Sequence, residues 1–185
     1  MGDVCGKGAD AAAVTALARY TLRTLGVQES SPAEILRKLN DALLRQRTDR
    51  RFCTVAYASL QMNGQGHADV CLATGGHPLP YVLRADGTVE AVGKPGTLLG
   101  VLPDVRLSDT AVRLQQGDVM VLYTDGVTEA RGPHGMLGTE RLAAILASCA
   151  GLDAKSVAAR IESAALEIQE GNPRDDIAIL VVRIR

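Results

Sequence analysis

The stretch VMVLYTDGVTEAR, residues 119–131, decides how this chain is interpreted. Its first five residues are all apolar or aromatic, which predicts a strand buried on both faces. Thr124, Asp125 and Gly126 follow directly. A carboxylate that leaves the core at the end of a buried strand lies where functional side chains often collect. The stretch therefore raises the question of what Asp125 does there.

The composition indicates a globular chain without a strong preference for a charged partner. Of its 185 residues, 46% are hydrophobic and 22% charged, and the formal net charge is −1. This balance favours neither nucleic acid nor an anionic membrane as a partner, and the absence of Trp argues against a base-stacking surface. With no signal peptide and no long apolar span, a cytoplasmic protein is expected. The four cysteines show no C-x-x-C pairing and are predicted to be small core residues in a reducing compartment.

The periodicity of the chain predicts an α+β fold. A helix is expected from about Ala9 to Leu25, capped by Gly26, and a second over residues 30–46, with Ser31 as its N-cap. Strands are expected at 52–61, 68–73, 81–84, 89–92, 105–114 and 119–124, then helices at 140–150 and 154–170, the latter ended by Asn172 and Pro173, and a buried strand at 177–184. Because successive strands follow one another without intervening helices, the sheet should be antiparallel, with helices grouped on its faces.

Two further acids stand in the same setting as Asp125. Asp175 precedes the final apolar strand, and Asp3 precedes the glycine-rich stretch VCGKG. A single aspartate at such a position is most often a turn former whose carboxylate caps local N–H groups. Three of them favour another interpretation, because converging carboxylates repel one another unless a cation neutralises them. Ligands that are all oxygen suit Mg²⁺ or Mn²⁺, which would polarise a phosphate and acidify a bridging water.

Two better-known phosphate-handling motifs do not fit. GKG at 6–8 lacks the spacing of a Walker A loop. LYTDGV is similar to the D-x-D-G-[TV] motif of haloacid-dehalogenase-type phosphatases, but Tyr123 occupies the position of the nucleophile. Tyrosine cannot form the acyl phosphate that this mechanism needs.

An ordered set of motifs covers nearly the whole chain. It comprises GDVCGKG at 2–8, ATGGHPLPYVLR at 73–84, GTLLGV at 96–101, GDVMVLYTDGVTEAR at 117–131, GMLGTERL at 135–142 and RDDIAILVVR at 174–183. This set resembles the metal-dependent protein phosphatases (PPM, the type 2C fold), in the bacterial branch of stage II sporulation protein E. The resemblance implies a single domain over residues 1–185, an antiparallel β-sandwich flanked by helices on both faces, and hydrolysis of phosphoserine or phosphothreonine with two Mn²⁺ or Mg²⁺ ions.

The resemblance also implies roles for particular residues. The family's bridging aspartate falls on Asp3, the backbone carbonyl that binds one metal on Val4, and the other two acids on Asp125 and Asp175. Beside these ligands stand Thr124, Gly126 and Asp176. A metal-bridged water would attack the phosphorus in line with the serine leaving group, without a covalent intermediate.

Relatives in this family carry strands and a G-G-D-x-Y-D-like acidic segment upstream of G-D-V, and this sequence does not. The domain is therefore expected to be truncated at its N-terminus, with an unpaired sheet edge that favours homodimerisation. The implied substrate is a phosphoprotein, such as an anti-sigma-factor antagonist of a bacterial partner-switching pathway. Two alternatives stay open: a catalytically weak, phosphatase-like binding module, and a phosphoesterase for small esters on the same fold.

Overall fold

A computed structural model describes residues 1–46, 51–64, 66–133, 135–171 and 175–185. Its elements, in chain order, are β1 (Gly2–Val4), α1 (Ala9–Gln28), α2 (Pro32–Arg45), β2 (Cys53–Met62), β3 (Ala68–Gly75), β4 (Tyr81–Leu83), β5 (Val89–Ala91), β6 (Thr110–Leu114), β7 (Val119–Tyr123), α3 (Asp125–Thr128), β8 (Arg131–Gly132), β9 (Gly135–Met136), α4 (Gly138–Ala147), α5 (Ala154–Ile168) and β10 (Ile179–Arg183). One sheet has the strand order β1-β2-β3-β6, a second has β10-β7-β4-β5, and β8 pairs with β9. The predicted α+β class is confirmed.

The chain forms two compact units that alternate along the sequence. The first comprises Met1–Leu60, Val70–Leu79 and Gly93–Val112, and the second Gln61–Asp69, Pro80–Val92 and Arg113–Arg185. None of the helices in the described ranges is long and apolar enough to cross a membrane.

In the first unit, the two long helices share a core with the strands β1 and β2. Val14 of α1 and Leu36 and Leu39 of α2 pack with Val55 and Leu99. The predicted start of α2 is confirmed, because Oγ of Ser31 accepts a hydrogen bond from the N–H of Glu34 at 3.1 Å. The apolar face of α2 is thereby directed into the core.

Gly26 is not the cap of α1, contrary to the prediction, because the helix continues to Gln28. A side chain at position 26 would place its Cβ 2.4 Å from the hydroxyl oxygen of Tyr57. Glycine at this position therefore leaves room for the Tyr57 side chain of β2 and does not form a turn.

The strand predicted at 105–114 is shorter than expected and begins at Thr110. Asp109 lies at the N-terminus of α2, where its carboxylate accepts hydrogen bonds from Oγ of Ser31 at 2.6 Å and from the N–H of Ala33 at 2.7 Å. The bond from Ala33 satisfies one of the free N–H groups at the start of α2, so Asp109 is held at the helix end and does not extend strand β6.

In the second unit, β7 is buried along its whole length, as predicted. It lies between β10 and β4, with Tyr123 opposite Ile179 and Val121 opposite Tyr81. The rings of Tyr81 and Tyr123 stack at 6.1 Å between centroids. Side chains of α4 and α5 complete this core, among them Leu142, Leu146 and Ile161.

The final strand is not buried, contrary to the prediction. β10 lies at the end of its sheet, and Leu180 is 48% exposed. An apolar run alone does not distinguish an edge strand from a central one. The predicted break at Asn172 and Pro173 lies outside the described residues.

Candidate metal centre

Asp125 lies where the buried strand β7 turns into the short helix α3. Its Oδ1 atom is buried and has no hydrogen-bond partner among the residues that the structure describes. Buried polar atoms in proteins are nearly always satisfied, because an unpaired one costs about 1–3 kcal/mol and a charged one more. This carboxylate oxygen is therefore suited to a cation.

Thr124 joins the turn that carries Asp125 to the segment that carries Asp175 and Asp176. Its hydroxyl donates a hydrogen bond to the carbonyl of Asp176 at 2.7 Å and accepts one from the N–H of Ala178 at 2.9 Å. The backbone N–H of Thr124 donates to the carbonyl of Ala178 at 3.1 Å. Thr124 is 4% exposed, so these bonds are shielded from water. The side chain therefore holds two acidic segments in one arrangement.

Gly126 allows the same two segments to approach closely. A Cβ at this position would lie 2.5 Å from the carbonyl oxygen of Asp176 and 3.0 Å from its carbon. Real Cβ atoms do not approach backbone atoms so closely. Any side chain at position 126 would therefore push the two segments apart.

Asp175 faces an open cleft beside Gly126. The cleft has a volume of about 280 Å³ and is lined by Gly126, Glu129, Arg131, Gln169 and Asp175. Oδ1 of Asp175 accepts a hydrogen bond from the N–H of Asp176 at 2.9 Å. Glu129 and Arg131 follow Asp125 in the motif at 119–131 but were not predicted as site residues, and Gln169 is brought to Asp175 by the fold alone.

Asp3 lies in the first unit, on β1. Its partner in the β1–β2 ladder is Thr54, and Val4 lies opposite Cys53. Oδ1 of Asp3 accepts a hydrogen bond from the N–H of Val4 at 2.8 Å. Burial, together with the charge of Asp3, raises the pKa of the Cys53 thiol to about 11. Cys53 is therefore an uncharged core residue at neutral pH.

The prediction that all four cysteines are core residues is wrong for Cys5, which is exposed, while Cys71 is half-buried. Cys5 directly follows β1 and precedes Gly6, whose φ of +93° is a backbone conformation that favours glycine.

The predicted site residues fall into two groups. Thr124, Asp125, Gly126, Asp175 and Asp176 come together in the second unit, while Asp3 and Val4 lie together in the first. Within the described ranges, no three His, Cys, Asp or Glu side chains form a group that could hold a metal ion. Carboxylate and carbonyl oxygens are nonetheless the donors that Mg²⁺ and Mn²⁺ prefer.

Comparison with known proteins finds matches over the whole chain. The family model described as Stage II sporulation protein E (SpoIIE) matches residues 1–185. Phosphoserine phosphatase RsbU of Bacillus subtilis (strain 168) is 27% identical over 183 residues, which cover 99% of this chain and 54% of the relative. The chain thus spans about half the length of that relative.

Two solved structures also match this chain over its full length. The RsbU and RsbW domains of Rv1364c from Mycobacterium tuberculosis superpose with a TM-score of 0.71 and 28% identity, covering 100% of this chain and 50% of that one. The SiaA-PP2C domain of Pseudomonas aeruginosa gives a TM-score of 0.73 and 24% identity, covering 100% of this chain and 74% of that one.

Proposed function

Because the chain belongs to the stage II sporulation protein E family, whose model it matches over residues 1–185, we propose that it is a metal-dependent phosphatase of phosphoserine or phosphothreonine in proteins. The family and the type 2C fold predicted from the motifs are confirmed. The observation that carries the proposed activity is Oδ1 of Asp125, which is buried at the tip of β7 without a hydrogen-bond donor in the described chain.

Phosphatases of this family are metal-dependent, and we propose that this chain binds two Mn²⁺ or Mg²⁺ ions. The ligands would be the carboxylates of Asp3, Asp125 and Asp175 and the backbone carbonyl of Val4. The unsatisfied oxygen of Asp125 and the open cleft at Asp175 support this assignment. When bound, the ions would polarise the phosphate ester and acidify a water molecule.

The residues around these acids would position them. Thr124 holds the Asp125 turn against the carbonyl of Asp176, and Gly126 allows that approach. Ligands held in advance by buried hydrogen bonds do not need to reorganise when an ion or a substrate binds. Thr124, Gly126 and Asp176 are therefore proposed as positioning residues.

The proposed substrate is a serine-phosphorylated anti-sigma-factor antagonist in a bacterial partner-switching pathway. The similarity to RsbU, which is named a phosphoserine phosphatase, supports this substrate class. The chain would then act in the cytoplasm, where sigma factors and their regulators work. Homodimerisation through a sheet edge stays a prediction.

A second candidate function is a phosphatase-like binding module with weak catalysis. It is favoured by the finding that the described residues contain no group of three acids able to hold a metal. Such a module would bind its phosphoprotein equally well with and without Mn²⁺.

The proposed function predicts Mn²⁺-dependent release of phosphate. The chain is expected to hydrolyse a phosphoserine peptide and p-nitrophenyl phosphate with Mn²⁺, and neither after treatment with a chelator. Phosphate release is measured colorimetrically, with circular dichroism as the check on folding. If the folded protein releases no phosphate with Mn²⁺, the enzyme hypothesis is wrong and the binding module is supported. If it hydrolyses p-nitrophenyl phosphate but not the phosphoserine peptide, the chain is a phosphoesterase for small esters.

The two hydrogen bonds of the Thr124 hydroxyl predict that Thr124→Val and Thr124→Ser differ in their affinity for Mn²⁺. Thr124→Val removes both hydroxyl hydrogen bonds, which contribute on the order of 1–3 kcal/mol, and is expected to weaken Mn²⁺ binding about tenfold or more. Thr124→Ser keeps the hydroxyl and is expected to bind Mn²⁺ like the unmodified chain. Free Mn²⁺ is measured by electron paramagnetic resonance, which does not depend on turnover.

The matched control is Thr74→Val, which removes a hydroxyl that is buried like that of Thr124 and donates to the carbonyl of Lys94 at 2.8 Å. It is expected to leave Mn²⁺ binding unchanged. Equal affinity of Thr124→Val and Thr124→Ser would show that the hydroxyl does not position the ligands.

A further inference from the structure

The loop of residues 97–103, TLLGVLP, exposes three large apolar side chains within five residues. Leu98 is 37%, Val101 49% and Leu102 52% exposed. Single exposed apolar residues are ordinary on protein surfaces, whereas neighbouring ones that form a contiguous apolar patch are typical of binding surfaces. We call residues 97–103 the apolar loop.

The apolar loop is held in place from beneath by the completely buried side chain of Asn40. Nδ2 of Asn40 donates to the carbonyls of Leu102 at 2.9 Å and Pro103 at 3.4 Å, and Oδ1 accepts from the N–H of Gly100 at 2.8 Å. A buried amide with bonds on both sides fixes the conformation of the loop. The apolar side chains are therefore presented in a set arrangement, and a partner would not have to order them on binding.

The middle of the apolar loop is joined to the strand next to the proposed metal ligand Asp3. The N–H and carbonyl of Leu99 exchange hydrogen bonds with Cys53 at 3.1 Å and 3.0 Å. Cys53 lies opposite Val4 of β1, and its neighbour Thr54 lies opposite Asp3. Two strand spacings, about 10 Å, thus separate the backbone of the loop from that of β1.

The separation of about 10 Å between the apolar loop and β1 is smaller than the footprint of a folded protein partner. A folded protein contact covers about 800 Å² of each partner, a patch roughly 30 Å across. A folded protein that brings a phosphoserine to Asp3 would therefore also lie over residues only about 10 Å away. The loop contains no charged residue, so its contribution would be apolar contact.

We propose that the apolar loop is the docking surface for the folded phosphoprotein substrate, and that it receives an apolar patch beside the phosphoserine. The proposal rests on the proposed function. It adds a surface that binds the substrate protein away from the phosphoserine and the metal ligands. It implies that the chain binds a folded phosphoprotein more tightly than a peptide with the same phosphoserine.

The test compares binding and turnover for the double variant Val101→Ser/Leu102→Ser. The probes are the host's anti-sigma-factor antagonist, phosphorylated on serine by its cognate kinase, and a peptide copied from its phosphorylation site. Affinity is measured by biolayer interferometry, with kcat/KM for both probes and for p-nitrophenyl phosphate. The matched control is Val27→Ser, which makes the same change at a valine that is 87% exposed on α1.

The double variant is expected to bind the phosphorylated antagonist at least about tenfold more weakly, since truncated contact residues at a docking centre commonly have effects of this size. Peptide and p-nitrophenyl phosphate turnover, the thermal midpoint and the Val27→Ser variant are expected to be unchanged. Unaltered affinity of the double variant would overturn the proposal, and so would an antagonist that binds no more tightly than its peptide.

Two other outcomes are distinguishable. If the chain forms a dimer in sedimentation and the double variant is monomeric with unaltered affinity for the antagonist, the loop is a contact between copies and the proposal is wrong. Absence of all Mn²⁺-dependent turnover would contradict the proposed function alone, because binding of the antagonist still reports on the loop.

Discussion

Asp125→Asn is expected to abolish Mn²⁺-dependent phosphate release, with kcat lowered by roughly 10³-fold or more, and at the same time to stabilise the metal-free protein. The amide keeps the size of the side chain but removes the charge that a divalent ion requires, and the electrostatic stabilisation supplied by such an ion amounts to several kcal/mol. The gain in stability follows because the buried Oδ1 has no donor in the described structure. Although the Asp125 side chain as a whole is only half-buried, replacing its charge by a neutral amide lowers the desolvation cost at the buried Oδ1 position.

Thermal unfolding with and without Mn²⁺ separates the two effects. The unmodified chain is expected to gain stability on addition of Mn²⁺, whereas Asp125→Asn has the higher midpoint without metal and gains none with it. Asp86→Asn is the matched control, because Asp86 is an exposed turn residue whose carboxylate accepts from the N–H of Thr88 at 2.9 Å. A metal-free Asp125→Asn protein that is less stable than the original would show that the carboxylate is satisfied within the fold.

Gly126→Ala is expected to lower both stability and activity. The free energy of unfolding should fall by about 1–3 kcal/mol, the usual range for overpacking, because the new Cβ would lie 2.5 Å from the carbonyl oxygen of Asp176. The atoms it meets belong to the backbone and cannot rotate away. Displacing the two acidic segments by a fraction of an ångström is expected to lower kcat by about 10²-fold.

Urea unfolding and phosphate release measure these two losses. Gly126 lies within α3 and its φ is not positive, so alanine is otherwise favoured there and the loss is attributable to the contact with Asp176. Gly64→Ala is the control, since no described atom beyond its chain neighbours lies within 4 Å of the added Cβ. Equal stability of Gly126→Ala and the original chain would mean that the two segments separate freely and that their close approach is not needed.

Local patterns were sufficient to predict most elements. The apolar run at Val119–Tyr123 predicted a strand buried on both faces, and Ser31 followed by Pro32 predicted the start of α2, because both signals depend only on neighbouring residues. The errors concern contacts between distant residues. Gly26 lies inside a helix and against the hydroxyl of Tyr57, and Asp109 lies outside the predicted strand because it caps α2.

For the acids, too, local sequence does not reveal the contacts made with distant residues. The tripeptide Gly-Asp-Val occurs twice, at 2–4 and at 117–119, and the residues next to each aspartate do not show which carboxylate is satisfied by donors from other elements. In the structure Asp118 accepts hydrogen bonds from Nη1 of Arg84 at 2.8 Å and from the N–H groups of Ala85 at 2.9 Å and Gln115 at 3.0 Å. Although burial raises the pKa of Asp118, the donors of Gln115, Arg84 and Ala85 hold it below its usual value. Asp118 is therefore a structural acid.

The sequence by itself determined the α+β class, the family and the set of acids among which the ligands are sought, because strand and helix periodicity and motif spacing are local properties of the chain. Only the tertiary structure decided which carboxylates are satisfied. Asp118 is surrounded by donors, whereas Oδ1 of Asp125 meets none in the described residues. The physical reason is that a buried carboxylate is neutralised by groups from other elements, and their approach is a property of the fold.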